Sequence, residues 1–585
     1  MNHADRDPAL RPLLDRVLSA EDRARVEPLL AELGELAGGE LDRHAALADA
    51  NPPKLVQYAP DGTRIDEVTF HPAHDAAAAI AYERFGLAAM SHRPGVLGWP
   101  TKVPHTVKYA LSYLYVQSEF GMACPLSMTD SAARILRLFD PERYADEIAA
   151  LSSTDPELRS TGAMFMTEKQ GGTDVGLTET VATDRGGHWT LTGKKWFASN
   201  PSADVVLTLA RVPGQGEGTR GLGMFLVPRL RPDGSRNALR IDRLKDKLGS
   251  RSIASGEVTL EAAYATPVGQ LTHGFRQMAE MLNVSRLSNA MRATALMRRA
   301  VRESVDHTRE RHVFGKSLFD QPLMRATLLP MILDTEAALH LVIEAAARLT
   351  AADEGDPGAR ALVRVLTPLA KHTLCKRART VTGEAMEIRG GNGYIEDWVN
   401  PRLVRDAHLG SIWEGSSNVI ALDVLRCMRR QNAHHTLADT YGSPHVAPEG
   451  VPARKNVALT PVSATFFRAH TLLDDRWELL REKGDALLEL PADEQEMRIG
   501  RYADELTRAV MEALLYEQAE HEARTSGDGR ALLVARTYTA LADDPDAPPR
   551  TALDHFAALA DGGQVPLAEI RASGPFRRTA RPATI

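Results

Sequence analysis

The chain has 585 residues, 43% apolar and 25% charged, a balance that supports ordinary folded cores and sets aside disorder or a coiled coil as the starting assumption. A formal net charge of -7 excludes the global basic field that drives binding to a phosphate backbone. Three cysteines, Cys124, Cys375 and Cys427, are widely separated and odd in number, which excludes a disulfide framework and suits a reducing compartment.

At this length about three or four domains are expected. The N-terminal stretch mixes acids and bases without an apolar segment, unlike a secretory signal. No window reaches the roughly 18 uncharged apolar residues of a membrane helix. A cytoplasmic location without membrane association is the expectation.

Residues 1–50 read as short helices ending at Asn51-Pro52-Pro53; Asp61-Gly62 marks a turn and 68–72 a short extended run. Residues 1–72 are therefore an N-terminal extension. From Ala76 to about Leu138 apolar groups recur at three- and four-residue spacing, so 73–160 is a helical domain, with Tyr109, Tyr113, Tyr115 and Phe120 as core aromatics. Near Thr161 the period changes to short alternating runs broken by Gly, Asp, Asn and Pro. These predict a compact antiparallel β domain over 161–270. The helical period then resumes. The stretch 273–315 has no proline and should be one long helix, followed by helices near 321–352, 357–388 and 418–430, so 271–430 is a helix bundle. A loop-rich linker is expected over 431–465, including His434-His435, and an extra helical domain over 466–585.

The most suggestive chemistry lies in Ser411-Ile412-Trp413-Glu414-Gly415-Ser416-Ser417-Asn418. The segment before it, Val399 to Gly410, is expected to be irregular, and an apolar helix to begin near Val419. Burial beside Trp413 would raise the pKa of Glu414, the profile of a general base, while Gly415 permits close approach to the backbone. Ser416 and Asn418 are suited to capping the helix or binding a ligand. The alternative is a loop glutamate before an ordinary N-cap.

Two further loops carry ligand-binding equipment. Thr167-Glu168-Lys169-Gln170-Gly171-Gly172-Thr173-Asp174 offers hydroxyls and backbone amides beside paired glycines, and Arg389-Gly390-Gly391-Asn392-Gly393-Tyr394 permits close approach to a phosphate or sugar. Either can equally be a tight turn. The Gly218/Gly221/Gly223 run lacks dinucleotide spacing, no GxSxG elbow is present, and neither His521-Glu522 nor His434-His435 has metal-ligand spacing, so no metal is expected.

In combination these stretches resemble the acyl-CoA dehydrogenase family, over roughly 70–430. MTEKQGGTDV and GKKWFAS are similar to its flavin segments, KLGSRSIASGEV to its last barrel strand, RERHVFGK to its cross-subunit helix, MEIRGGNGY to its FAD-diphosphate loop and IWEGSSNV to its base-bearing segment. NPPKLVQYAPDGTRIDEVTFHPA, the wording MTEKQGG and the C-terminal extension resemble the AidB-like branch, linked to the bacterial response to DNA alkylation. The resemblance implies a multidomain α+β fold: N-terminal helical domain, antiparallel β-barrel, C-terminal helical bundle and extra C-terminal helices.

It further implies FAD as cofactor and a homotetramer or homodimer. Thr167 and Thr173 would hydrogen-bond the flavin, Trp196 would pack on its ring and Ser199 would lie near its reactive edge. Trp413, Ser416 and Asn418 would complete that site. Arg311, Phe314 and Gln321 would reach the FAD of a partner subunit, Gly390 and Gly391 its diphosphate, and Glu387, where many members have glutamine, its adenosine half. Glu414 would be the catalytic base, taking the α-proton of an acyl thioester such as acyl-CoA while the β-hydrogen leaves as hydride to flavin N5. Some members place the base on the long helix; here that position is Ser285, followed by Arg286, which would pair with a CoA phosphate or a carboxylate. An electron-transfer flavoprotein or another acceptor would take the electrons. The alternatives are an FAD-containing DNA-binding protein of the AidB type with weak or no dehydrogenase activity, and a flavin oxidase using O2. Acids slightly outnumber bases after residue 430, a poor basis for DNA as partner.

Overall fold

The structure is a computed structural model describing residues 2–442, 461–545 and 548–572. The middle of the expected linker, 443–460, and the basic tail with Arg577-Arg578 lie outside the described residues. The chain divides into two compact units. One holds Glu32–Arg292 and His408–Gly415; the other holds 2–31, 293–407 and the described part of 416–585.

In chain order the helices α1 (Leu10–Val17), α2 (Ala20–Ala37) and α3 (Glu40–Ala50) precede a hairpin of β1 (Lys54–Tyr58) and β2 (Arg64–Thr69). Then come α4 (Pro72–Ala79), α5 (His105–Val116), α6 (Ala123–Phe139) and α7 (Ala145–Leu151). The strands β3 (Gly162–Phe165), β4 (Val181–Asp184), β5 (Trp189–Ser199), β6 (Val205–Arg211), β7 (Leu222–Pro228), β8 (Leu239–Leu244) and β9 (Ser255–Pro267) follow.

In the first unit β6, β4, β5, β9 and β7 pair in a closed ring, with β3 beside β6 and β8 beside β9. Closure removes the unpaired edges an open sheet would expose. Pairing is antiparallel except for β3 with β6 and β4 with β6, which are parallel; the expected antiparallel barrel holds apart from these two pairings. The alternation along β6 and β7 sorts two cores. Val206, Ala210, Phe225 and Val227 join the barrel interior with Phe165, Leu191 and Val258, whereas Leu207, Leu209, Met224 and Leu226 face Met128, Ala132, Ile135 and Leu136 of α6. A strand buried on both faces reads as a near-continuous apolar run, as Val205–Ala210 does with Thr208 its one polar residue, whose hydroxyl donates to the Phe165 carbonyl. The hairpin docks on the barrel through Asp66, which is 2% exposed, accepts from Arg64 Nε at 3.0 Å and accepts from the Ile241 amide at 3.2 Å.

The long helix α8 spans Gly274–Glu310, and a small hairpin of β10 (His312–Val313) and β11 (Lys316–Ser317) leads to α9 (Pro322–Asp353) and α10 (Pro357–Ile388). Beyond them lie α11 (Val399–Gly410), α12 (Ser417–Gln431), α13 (Ala433–Tyr441), α14 (Pro461–Glu489), α15 (Ala492–Thr525) and α16 (Arg530–Asp543). Two expectations are corrected. Val399–Gly410 is helical despite Pro401, which the first turn tolerates because its missing N–H has no helical acceptor there. The start of the expected linker is α13, whose Leu437, Ala438 and Tyr441 are buried.

In the second unit α9 is long and apolar enough, by length and composition, to cross a membrane, but 78% of that window is buried in the structure. A helix apolar on every side is what a buried core position selects. Arg530 of α16 donates to both carboxylate oxygens of Glu336 on α9, at 3.0 and 2.7 Å. The N-terminal residues join the C-terminal helices: Arg16 pairs with Glu517 at 2.9 Å, and Gln518 Nε2 donates to the Pro12 carbonyl at 2.9 Å.

Candidate active site

The turn after α11 presents Glu414 with φ +57° and Gly415 with φ +98°. A left-handed glutamate costs conformational energy and persists only where its surroundings hold it. Here those surroundings come from α8, within the first unit. Arg286 Nε donates to the Glu414 carbonyl at 3.1 Å. Asn289 bridges the turn, its Nδ2 donating to the Gly410 carbonyl at 3.0 Å and its Oδ1 accepting from Trp413 Nε1 at 2.8 Å. Phe120 stacks on Trp413 with ring centroids 5.8 Å apart, and the Arg292 guanidinium lies 4.6 Å from the centre of the same ring. The backbone and indole flanking the carboxylate are thus tied down. Arg286 fixes the backbone of the turn that carries Glu414.

The end of β5 reaches this turn's neighbourhood through Cys124 at the start of α6. Burial raises the Cys124 thiol; a hydrogen bond joins it to Ser199, and it lies in the field of Arg292, Glu414 and Lys247. Cys124 thus lies beside Ser199 at the end of β5 and within the electrostatic reach of the candidate base. Ser285 is fully buried, and its hydroxyl has no hydrogen-bond partner among the described residues.

The Thr167–Asp174 loop rests on a buried ion pair. Lys195 Nζ contacts Glu168 Oε1 at 2.7 Å and donates to the Leu209 carbonyl at 3.0 Å. Glu168 also accepts from Thr180 Oγ1 at 2.5 Å and from the Glu179 amide at 2.7 Å. Burial alone would raise the Glu168 carboxyl, but the Lys195 charge and these donors hold it below the usual carboxylate range. The Trp196 amide donates to the Thr167 carbonyl at 2.8 Å, joining loop to strand. Thr167 and Trp196 are half-buried, Thr173 is exposed, and Lys245 Nζ lies 3.7 Å from the Trp196 ring centre. Two hydroxyls, exposed amides at Gly172 and Thr173, and an indole fit the polar edge and flat ring of a flavin.

The remaining candidates belong to the second unit. Phe314 (φ +50°) is 98% exposed, and Arg311, Glu387, Gly390 and Gly391 are exposed. A Cβ added at Gly390 or Gly391 would meet nothing within 4 Å, so both stand open to a ligand. Gln321 Nε2 donates to the Val313 carbonyl at 3.0 Å and closes the β10–β11 hairpin. Ser416 and Asn418 are exposed, and the Ser416 side chain makes no capping hydrogen bond to α12.

Sequence reasoning missed Glu168 and Lys195 as a pair, and also Asn289, Arg292 and Cys124. Their partners lie far along the chain and no local spacing announces them. It also missed Asp485, whose Oδ1 lies 3.0 Å from His434 Nε2 and 2.8 Å from His435 Nε2, so these residues do approach ligand geometry. The other ring nitrogen of buried His434 has no acceptor among the described residues, whereas a metal-bound imidazole ordinarily donates through that nitrogen.

Family models match along most of the chain: the AidB N-terminal domain of the adaptive response over residues 1–155, the acyl-CoA dehydrogenase middle domain over 163–263 and its C-terminal domain over 272–428. The chain is 39% identical to AidB of Escherichia coli (strain K12) over 415 residues, 68% of this chain and 73% of that one. It is 33% identical to acyl-CoA dehydrogenase family member 11 of Caenorhabditis elegans over 434 residues, 72% of this chain and 69% of that one. Among solved structures, Caenorhabditis elegans ACDH-11 in complex with C11-CoA superposes with a TM-score of 0.81 at 27% identity, covering 92% of this chain and 90% of that one.

Proposed function

Because this chain belongs to the acyl-CoA dehydrogenase family, in its AidB-like branch, we propose that it uses FAD to dehydrogenate an acyl thioester between Cα and Cβ, with Glu414 as base. The observation that carries this reading is Glu414 itself: a left-handed carboxylate residue, anchored through its own carbonyl by Arg286 and flanked by Trp413, which Asn289 and Phe120 hold in place. Strain of this kind aims a side chain that an ordinary turn would leave in solvent.

An α-proton beside a thioester is weakly acidic, so the base must be oriented and the developing enolate oxygen must meet a hydrogen-bond donor. Arg286, Asn289 and Trp413 fix the orientation of Glu414. Its carboxylate takes the α-proton and holds it at a carboxyl oxygen. Trp196, Thr167, Thr173 and Ser199 hold and orient the flavin, while Phe120 and Trp413 exclude water. When bound, FAD supplies the acceptor for the β-hydride. Arg311, Phe314, Gln321, Glu387, Gly390 and Gly391 act on the FAD of a neighbouring subunit in a homo-oligomer, a role supported by a phenylalanine 98% exposed on a hairpin tip. An electron-transfer flavoprotein or another acceptor would take up the electrons.

Anaerobic mixing of the FAD-loaded protein with a panel of acyl-CoAs tests the reading. Bleaching of the flavin absorbance by one chain class supports it; tightly bound FAD that no thioester bleaches overturns it.

A further inference from the structure

Within the second unit two imidazoles converge on one carboxylate. His434 Nε2 lies 3.0 Å and His435 Nε2 2.8 Å from Asp485 Oδ1, and the three atoms all lie within 4.8 Å of one another. The two rings meet edge to face, with centroids 4.4 Å apart. An ionised carboxylate only accepts, so each Nε2 carries a proton in this arrangement.

Local features of the chain bring these groups together. Asn432 takes a left-handed backbone, φ +49°, as it ends α12 and opens α13, so both histidines fall in the first turn of the new helix. Gly484 stands inside α14, where a glycine is unfavourable. A Cβ there would collide with His434 Cδ2 and with the Tyr502 hydroxyl, so the glycine is what lets the His434 ring reach the helix that carries Asp485.

The protonation states are those a metal requires. Burial lowers the His434 imidazole and keeps it neutral, while hydrogen bonds from both histidines lower the Asp485 carboxyl and keep it ionised. The His434 side chain is 1% exposed, but those of His435 and Asp485 are 36% and 51% exposed, which leaves an entry path and room for water ligands.

We propose that His434, His435 and Asp485 bind one zinc ion, completed by water, which clips α13 to α14 where the extra C-terminal helices begin. Two imidazoles and one carboxylate suit this borderline divalent cation. Around a tetrahedral ion with bonds of about 2.0–2.1 Å the ligand atoms stand roughly 3.3 Å apart, so the present spacings need only widen slightly. On binding, the proton of each Nε2 is replaced by one on Nδ1. For His434 that nitrogen has no acceptor among the described residues, and a missing outer partner weakens a metal site about tenfold to a hundredfold without abolishing it. The site is independent of the dehydrogenase reading.

The test uses the FAD-loaded full chain, free of any affinity tag and stripped of metal with a chelator, titrated with zinc chloride by calorimetry at neutral pH. One zinc ion per chain should bind saturably. His435→Ala and Asp485→Asn, which change partly exposed side chains, should each weaken it at least about tenfold, since losing a ligand exceeds losing an outer partner. Cobalt(II) in place of zinc should give a visible absorption band that both variants lose. Uptake should fall as pH drops below about 6.5, where the imidazoles hold their protons. Should either variant fail to fold, the other decides. No saturable uptake overturns the proposal, and so does uptake that the variants retain at wild-type affinity, which would be an adventitious ion only.

Discussion

Lys195 and Glu168 form an ion pair 2.7 Å long, with their side chains 0% and 2% exposed, beneath the loop that carries Thr167 and Thr173. Removing one partner of such a pair leaves a buried charge unmatched, at about 3–5 kcal/mol. Lys195→Met should lower stability by that order and weaken FAD binding, read from a denaturant midpoint and a flavin titration. The double variant Lys195→Met with Glu168→Gln should recover part of the stability, since neither charge remains.

The same pair sets a pH dependence. The Glu168 carboxyl is held below the usual range in the folded chain, so it binds its proton more weakly than in the unfolded chain, where a glutamate titrates near about 4.3. Its contribution is full above that value and is lost as pH falls through the folded value. The stability gap between the wild type and the neutral double variant should therefore narrow as pH drops below about 4, measured by unfolding at stepped pH.

Asn289→Leu removes two of the bonds that link α8 to the turn, those to Gly410 and to Trp413, and leaves the Arg286 bond to Glu414 in place. Leaving the indole N–H unmatched should cost about 1–3 kcal/mol. Because the Thr167 loop is untouched, FAD content should stay constant while the rate of flavin bleaching by substrate falls. A proportional loss of FAD would place Asn289 in general folding rather than in aiming Glu414.

Much of the fold was legible in the sequence, because periodicity and breakers report local structure directly. The proline-free stretch 273–315 read as one helix and is one from Gly274 to Glu310, the β10–β11 hairpin taking its end, and the runs around Val205 and Leu222 read as strands of a β domain. What failed depended on distant partners. Helix α13 carries histidines and polar residues typical of a loop, and Leu437 and Tyr441 make it a helix by finding burial. Glu414 was conspicuous beside Trp413 and Gly415, but its left-handed backbone and its grip by Arg286 join positions 128 residues apart, which no local pattern encodes. Arg292 drew no attention in the sequence, since its burial against Trp413 depends on a residue far along the chain.

Within the second unit, Glu336→Gln should destabilise by about 3–5 kcal/mol, since buried Arg530 would lose the carboxylate it pairs with directly. Differential scanning calorimetry would register a lower Tm. Holoprotein prepared below that Tm should retain its rate of flavin bleaching, because neither residue belongs to the proposed chemistry.

The most direct test of the account is the anaerobic flavin-bleaching rate of Glu414→Gln with the thioester that reduces the wild type fastest. The account predicts FAD bound as in the wild type and a rate lower by roughly a hundredfold to ten-thousandfold, the usual contribution of a positioned general base. A variant that bleaches at the wild-type rate would contradict it and move the base to another residue.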